Sequence, residues 1–246
     1  MKITFLGTNG WYSTETSSAI CTLVETPSYY IVLDAGEGFY KLNDHITKDL
    51  PVFLFLSHLH WDHIYGLHVL ARMNFLKRLS IVVPEDKLTD LKRIAASPFT
   101  VSVESIVKEI IPVSVGEVKN LPFGCQSLEL QHQDSSLGYR LTLDKKILAY
   151  CCDTSYCDNA ISLARECDLL IHECTNKPTD IDSGWGHASP EECASIAESA
   201  KAKKLILTHF MPDNYPDKAS RISAQNAARK IFKNSLAAFD GMTVEL

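Results

Sequence analysis

The sequence predicts an α/β fold with β-sheets inside and helices outside, and three observations carry that prediction. The first part of the chain is dense in short apolar runs separated by Gly, Ser, Thr and Pro, as strands joined by turns would be. The last third alternates buried-strand runs with helical patterns. No linker, low-complexity tract or short repeat divides the 246 residues, so a single domain over 1–246 is expected.

Residues 2–6, 19–25 and 30–34 read as strands. The nearly all-apolar run 51–56 reads as a strand buried on both faces. Helical patterns follow over about 64–77 and 86–95, and further strands over 106–148, with the clearest alternation at 127–132. Beyond these, 147–151, 169–173 and 205–208 are buried-strand candidates with helices between and after them. Ser189-Pro190-Glu191-Glu192 is a helix start: a Ser cap, Pro at the first position and Glu at the third.

Composition bounds the function classes. Apolar residues make up 46% and charged residues 22%, as in an ordinary folded protein with a substantial core. No apolar stretch approaches the ~20 residues of a membrane span. The N-terminus runs directly into a strand rather than a secretory signal, so a cytoplasmic protein with no membrane partner is expected. Eight cysteines contain no Cys-x-x-Cys pair and several lie in apolar runs, which favours buried free thiols. The net charge is −6, with 24 basic against 30 acidic residues, and there is no dense basic run to neutralise a phosphate backbone. A large RNA partner is therefore not favoured.

The chemistry concentrates after the 51–56 strand, in Ser57-His58-Leu59-His60-Trp61-Asp62-His63. If the extended backbone continues, His58 and His60 project to the same side. Asp62 and His63 follow at a turn towards a helix, so four donors fall within six residues. Imidazoles and carboxylates are the donor set that zinc, iron and manganese accept.

This run resembles the His-x-His-x-Asp-His signature of the metallo-β-lactamase superfamily. The remaining features of that family are matched in order by Asp34, His132, Asp153 and His209, each at a predicted strand end. The resemblance implies an αββα sandwich: two mixed β-sheets packed face to face with helices outside. It also implies two divalent metal ions, zinc first and manganese or iron as alternatives. His58, His60 and His132 would hold one, and Asp62, His63 and His209 the other, with Asp153 bridging. Two such ions can share a water and clamp the attacking and leaving oxygens of a displacement. Asp34 is expected to orient a ligand. His45, His68 and His172 lie outside the pattern and are read as ordinary polar residues.

Phe5-Leu6-Gly7-Thr8, Asp34-Ala35-Gly36-Glu37-Gly38, Gly138-Tyr139 and Gly186-His187-Ala188-Ser189 resemble the ribonuclease Z branch of that family. The resemblance implies a phosphodiesterase whose catalytic set is Asp62, His187 and Glu173. His187 would give a proton to the departing oxygen while Glu173 orients it. Two departures narrow the substrate. Only twenty residues separate His132 from Asp153, which leaves no room there for the branch's tRNA-gripping arm. His209-Phe210-Met211-Pro212-Asp213 also differs from the branch's usual ending. A small nucleotide-like or cyclic phosphodiester is the expected substrate, and a homodimer is expected by resemblance. The alternatives are tRNA 3′-processing, hydrolysis of a thioester, lactone or β-lactam, or a metal-binding module without catalysis.

Overall fold

The computed structural model describes residues 1–180 and 184–246. The first half of the chain runs β1 (Lys2–Gly7), β2 (Cys21–Glu25), β3 (Tyr30–Leu33), α1 (Leu42–His45), β4 (Val52–Phe55), α2 (Trp61–Ile64), β5 (Leu79–Pro84), α3 (Leu88–Ile94), α4 (Val103–Ile106) and β6 (Glu109–Val113). Next come β7 (Gly116–Glu117), β8 (Gly124–Glu129), β9 (Leu137–Leu143) and β10 (Lys146–Cys151). The remainder is α5 (Asp158–Ala164), β11 (Leu169–Glu173), α6 (Pro190–Ser199), β12 (Leu205–Thr208), α7 (Lys218–Arg229), β13 (Ser235–Ala237) and β14 (Thr243–Glu245).

These strands form two seven-stranded sheets, ordered β14-β1-β2-β3-β4-β5-β6 and β13-β12-β11-β10-β9-β8-β7. Each has a parallel half and an antiparallel half. In the first, pairing is antiparallel from β14 to β3 and parallel from β3 to β6. In the second it is parallel from β13 to β10 and antiparallel from β10 to β7. Alternation along each strand sends side chains to opposite faces and so produces three apolar layers. Phe53, Phe55, Ile31 and Leu33 meet Tyr139, Tyr150, Leu169 and Ile171 between the sheets. Val52, Leu54 and Leu56 face the other way, with Phe39, Leu67 and Leu91. On the far side, Leu170 and Leu205 pack beneath helix residues Leu163, Ile196 and Ala224. The result is the expected αββα sandwich.

The site lies where carboxyl ends of strands from both sheets converge. Asp34 follows β3, residues 57–63 follow β4, Asp153 follows β10, and His209 follows β12. Strand β8, parallel to β10 through their shared antiparallel partner β9, sends the chain to the same edge before His132. Crevices at carboxyl strand ends are where open α/β sheets bind ligands.

Local expectations hold where the signal is local. Ser189 and Glu192 form the reciprocal cap, with the Ser189 amide donating to Glu192 Oε2 at 2.7 Å, a motif worth roughly 1 kcal/mol. All eight cysteines are free thiols. Among the described residues no helix is long and apolar enough to cross a membrane.

Three departures have physical causes. The helix expected over 64–77 is broken: after α2 the chain makes 3-10 turns over Tyr65–Arg72 and Leu76–Arg78. The Gly66 amide donates to Ala35 O at 2.7 Å, and a Cβ on Gly66 would meet Phe39 Cβ at 2.4 Å, so the segment is drawn inward by neighbours rather than by its own ladder. The strand expected over 127–132 ends at Glu129, because the Gln131 amide is taken by Thr154 Oγ1 at 3.1 Å. His132 therefore sits in an irregular turn. Strand β5, wholly buried, lies between the two helical patterns where no element was expected.

Candidate metal centre and active site

Three of the site residues leave their strands by a left-handed turn: Asp34 (φ 55°), Asp153 (φ 57°) and His209 (φ 52°). Asp and His are among the residue types that tolerate this region, and such strain clusters at functional sites.

Two donor groups result, and Asp153 reaches both. Its Oδ2 lies 3.7 Å from His58 Nε2 and 3.9 Å from His132 Nε2. His60 joins this group through Nδ1, which is 3.4 Å from His132 Nε2. The other carboxylate oxygen, Oδ1, lies 3.3 Å from His63 Nε2 and 3.2 Å from His209 Nε2. Asp62 Oδ2 completes the second group, 3.1 Å from His209 Nε2 and 3.5 Å from His63 Nε2. The seven donors expected of the metal site are thus brought together.

Their orientation is fixed from behind, by groups that can only accept or have one proton to give. His63 Nδ1 donates to Asp34 Oδ2 at 2.9 Å, and His132 Nδ1 donates to Gly186 O at 3.2 Å. The Thr175 hydroxyl gives its proton to His209 O (3.2 Å) and so accepts from His209 Nδ1 at 3.1 Å. Ser57 Oγ likewise donates to Asp34 Oδ2 (2.9 Å) and accepts from His58 Nδ1 at 3.0 Å. In all four rings the Nε2 lone pair is left facing the site, the arrangement that tunes and aims metal-binding histidines. Asp34 is held in turn by the Ser57 amide (2.8 Å) and the Tyr150 hydroxyl (2.6 Å).

This geometry suits cations. His58 Nε2 is buried without a hydrogen-bond partner among the described residues. His63 Nε2 and His209 Nε2 face each other at 3.1 Å, which two lone pairs tolerate only with positive charge between them. The charge balance says the same. Burial pushes the His58 imidazole well below its usual range, reinforced by the charge of His63. For His63, burial acts in that same direction, but the carboxylates of Asp153, Asp62 and Asp34 outweigh it and push its pKa well up. Burial disfavours charge on Asp153 and Asp62 as well. The imidazoles of His209 and His63 nevertheless hold Asp153 well below the carboxylate range, and those of His63 and His209 hold Asp62 below it.

Beside this cluster, His187 Nδ1 lies 2.7 Å from Glu173 Oε1. The wholly buried Glu173 also accepts from the Thr154 amide (3.0 Å) and the Thr175 amide (2.9 Å). Burial opposes its ionisation, and His187 outweighs that effect to keep its pKa lowered. The His187 ring is 5.1 Å from that of His132 and 6.0 Å from that of His209, centroid to centroid. The His187 and His132 rings border a cavity of about 560 Å³ whose lining also includes His60, Asp62 and Asp153.

Of the histidines outside the pattern, His68 is exposed, with Nδ1 against Tyr65 O at 2.5 Å. His172 is buried, with Nδ1 donating to Glu173 O at 2.9 Å, and it lies one residue before the inward-pointing Glu173 on β11. Sequence reasoning missed Cys152, whose thiol is close enough to His63, Asp153 and His209 to share a cation with them. It also missed Tyr150, Thr175, Trp11 and Trp185. The signal for Tyr150 and Cys152 was their position just before Asp153; the two tryptophans carry no local signal.

Two glycines are required by close approach. A Cβ on Gly10 would sit 2.4 Å from the His209 ring. Gly186, at φ 83°, would place one 2.4 Å from His132 Cα.

The family model for the beta-lactamase superfamily domain matches residues 29–210. A ribonuclease Z from Cyanothece sp. is 27% identical over an alignment of 311 residues that covers all of this chain and 96% of the relative. The alignment is longer than this chain, so that relative carries segments without a counterpart here. The metallo-β-lactamase fold protein YhfI from Bacillus subtilis superposes with a TM-score of 0.82 at 22% identity, covering 100% of this chain and 99% of that one. The short form of human tRNase Z superposes with a TM-score of 0.75 at 22% identity, with the same coverage. The chain belongs to the β-lactamase superfamily, as a metal-dependent hydrolase of the metallo-β-lactamase fold and its ribonuclease Z-like branch.

Proposed function

We propose that the chain is a two-metal phosphodiesterase acting on small nucleotide-like or cyclic phosphodiesters. The observation that carries this reading is the Glu173–His187 pair, 2.7 Å apart, with His187 on the wall of the cavity that His60, Asp62, His132 and Asp153 also line. His58, His60, His132 and Asp153 Oδ2 are assigned to one cation. Asp62, His63, His209 and Asp153 Oδ1 are assigned to the other. Zinc is the first candidate, and manganese and iron suit the same donors. Such a pair supplies a water of lowered pKa and a clamp on the phosphoryl oxygens.

The protein's own groups do the rest. With Nδ1–H given to the Glu173 carboxylate, His187 uses Nε2 to protonate the departing oxygen. Glu173 keeps the ring oriented and stabilises its cationic form. Helix α6 starts two residues after His187, at the Ser189 cap, and its positive end favours an anion nearby.

The relatives' name supports a second reading, 3′-processing of tRNA precursors. Against it, the cavity lining contains no Lys or Arg among the described residues, and the relatives are longer than this chain. The test is turnover of bis(p-nitrophenyl) phosphate by Zn²⁺- or Mn²⁺-loaded protein, beside precursor tRNA, a thioester and a lactone. Turnover of the diester should vanish in Asp62→Ala and fall by about 10²–10⁴-fold in His187→Ala. A folded, metal-loaded protein inert to phosphodiesters, or faster on the thioester or lactone, would overturn the proposal.

A further inference from the structure

All three tryptophans of the chain stand at the mouth of one cavity. Trp11, Trp61 and Trp185 line the same 560 Å³ space as His60, Asp62, His132 and Asp153, and each is about half exposed or more. Trp11 comes from the loop after β1 and Trp185 from the segment before α6, yet their rings lie 6.1 Å apart at 62°. Large aromatic side chains held open to solvent around a polar centre mark a ligand site rather than a core.

The Trp11 side of this surface is held in place by its own loop. Trp11 adopts φ 62°, an outlier for a bulky residue, and its amide donates to Asp62 Oδ2 at 2.7 Å. That oxygen is the one facing His209 Nε2 at 3.1 Å, so the aromatic wall is tied directly to the metal donors. The preceding residues are fixed from below: buried Arg221 donates to Thr8 Oγ1 at 2.7 Å and to Asn9 Oδ1, and Asn9 Nδ2 donates to Tyr12 O at 3.1 Å. A smaller cavity of about 220 Å³, bordered by Trp11, Trp61, Tyr12 and Tyr65, continues the aromatic surface outward. Its charged lining residues are Glu37 and Asp62, both acidic. A second phosphate would meet repulsion there, whereas a flat neutral ring would meet π-faces.

We infer that Trp11 and Trp185 form a stacking subsite for a nucleobase, so that the substrate is a mononucleotide-sized phosphodiester recognised by its base rather than by a run of phosphates. This rests on the phosphodiesterase reading. Stacking on aromatic side chains tolerates any base, because every base has a π-face.

Binding can be read separately from turnover, because the only tryptophans are at this mouth and their fluorescence reports its occupancy. Metal-loaded protein is titrated with adenosine 5′-monophosphate and with ribose 5-phosphate, which share the phosphate anchor and differ in the base. The nucleotide should quench the fluorescence and bind with a Kd about ten-fold lower, within the range stacking supplies. Trp185→Leu should bring the two Kd values together, and Trp185→Phe should restore most of the difference, which a merely structural role would not do. Equal Kd values in the wild type, or a base advantage that survives Trp185→Leu, would overturn the inference while leaving diester turnover intact. Loss of the phosphodiesterase reading looks different: the base advantage persists, but no phosphodiester is hydrolysed, and the substrate assignment falls with it.

Discussion

Glu173→Gln puts the catalytic pair to its sharpest test. The carboxylate accepts three hydrogen bonds in a fully buried position: the Thr154 amide and His187 Nδ1 on Oε1, and the Thr175 amide on Oε2. An amide has only one oxygen. If it occupies the Oε1 position, its NH₂ faces the Thr175 N–H. If it occupies the Oε2 position, its NH₂ faces both the Thr154 N–H and His187. Either way a buried backbone donor is left unsatisfied, at a cost of roughly 1–3 kcal/mol in stability. His187 also loses an ionised partner, and a hydrogen bond to a charged group is worth about 1.5–3 kcal/mol. If the whole of that is lost from the protonated form of His187, fewer rings carry the proton to be given, and kcat falls by about 10- to 100-fold, with KM little changed. The assay is steady-state turnover of bis(p-nitrophenyl) phosphate, with metal content and urea unfolding measured on the same preparation. His187→Ala combined with Glu173→Gln should be no slower than His187→Ala alone, because the carboxylate acts through the ring. A folded Glu173→Gln protein within two-fold of wild-type kcat would refute the pairing, and so would losses that multiply in the double variant.

Three further perturbations follow from the geometry. Tyr150→Phe removes the 2.6 Å donor to Asp34, and should cost about 1–3 kcal/mol in urea unfolding and weaken metal retention against a chelator by roughly 10- to 100-fold. Gly10→Ala drives a methyl into the His209 ring and should lower the metal content and reduce turnover by about ten-fold or more, as read by metal analysis beside kinetics. Asp168 sits far from the site. Burial opposes its ionisation, but the hydrogen bonds from Lys203 and the Ile147 amide hold its pKa below the usual carboxylate range. A depressed carboxylate pKa contributes stability above the unfolded value and loses it as pH falls through the folded one. Asp168→Asn should therefore destabilise the fold near neutral pH and cease to matter at strongly acidic pH, and unfolding curves at both pH values check this.

What was readable along the chain is what neighbours within a few residues decide. The run 51–56 shows its two buried faces because both sides of a central strand are apolar, and β4 does place Phe53 and Phe55 between the sheets with Val52 and Leu54 outside. The Ser189 cap is a contact over three residues, and it forms as expected. Helix 64–77 failed because its apolar period says nothing about Ala35, whose carbonyl draws Gly66 inward. Strand β5 was passed over because it is short and falls between two helical patterns, where an apolar run alone does not distinguish strand from helix.

The same division runs through the site. The family resemblance, carried by short motifs in order along the chain, is what names His58, His60, Asp62, His63, His132, Asp153 and His209 as the expected donor set and attaches His187 and Glu173 to it. Which nitrogen each ring presents depends on Asp34, Thr175, Ser57 and Gly186 O behind it. The division of Asp153 between two donor groups depends on sheets that meet only when folded. The meeting of Trp11 with Trp185 is the extreme case: no periodicity links residues so far apart, and only the packing of one sheet's edge against the other brings their rings to the same cavity.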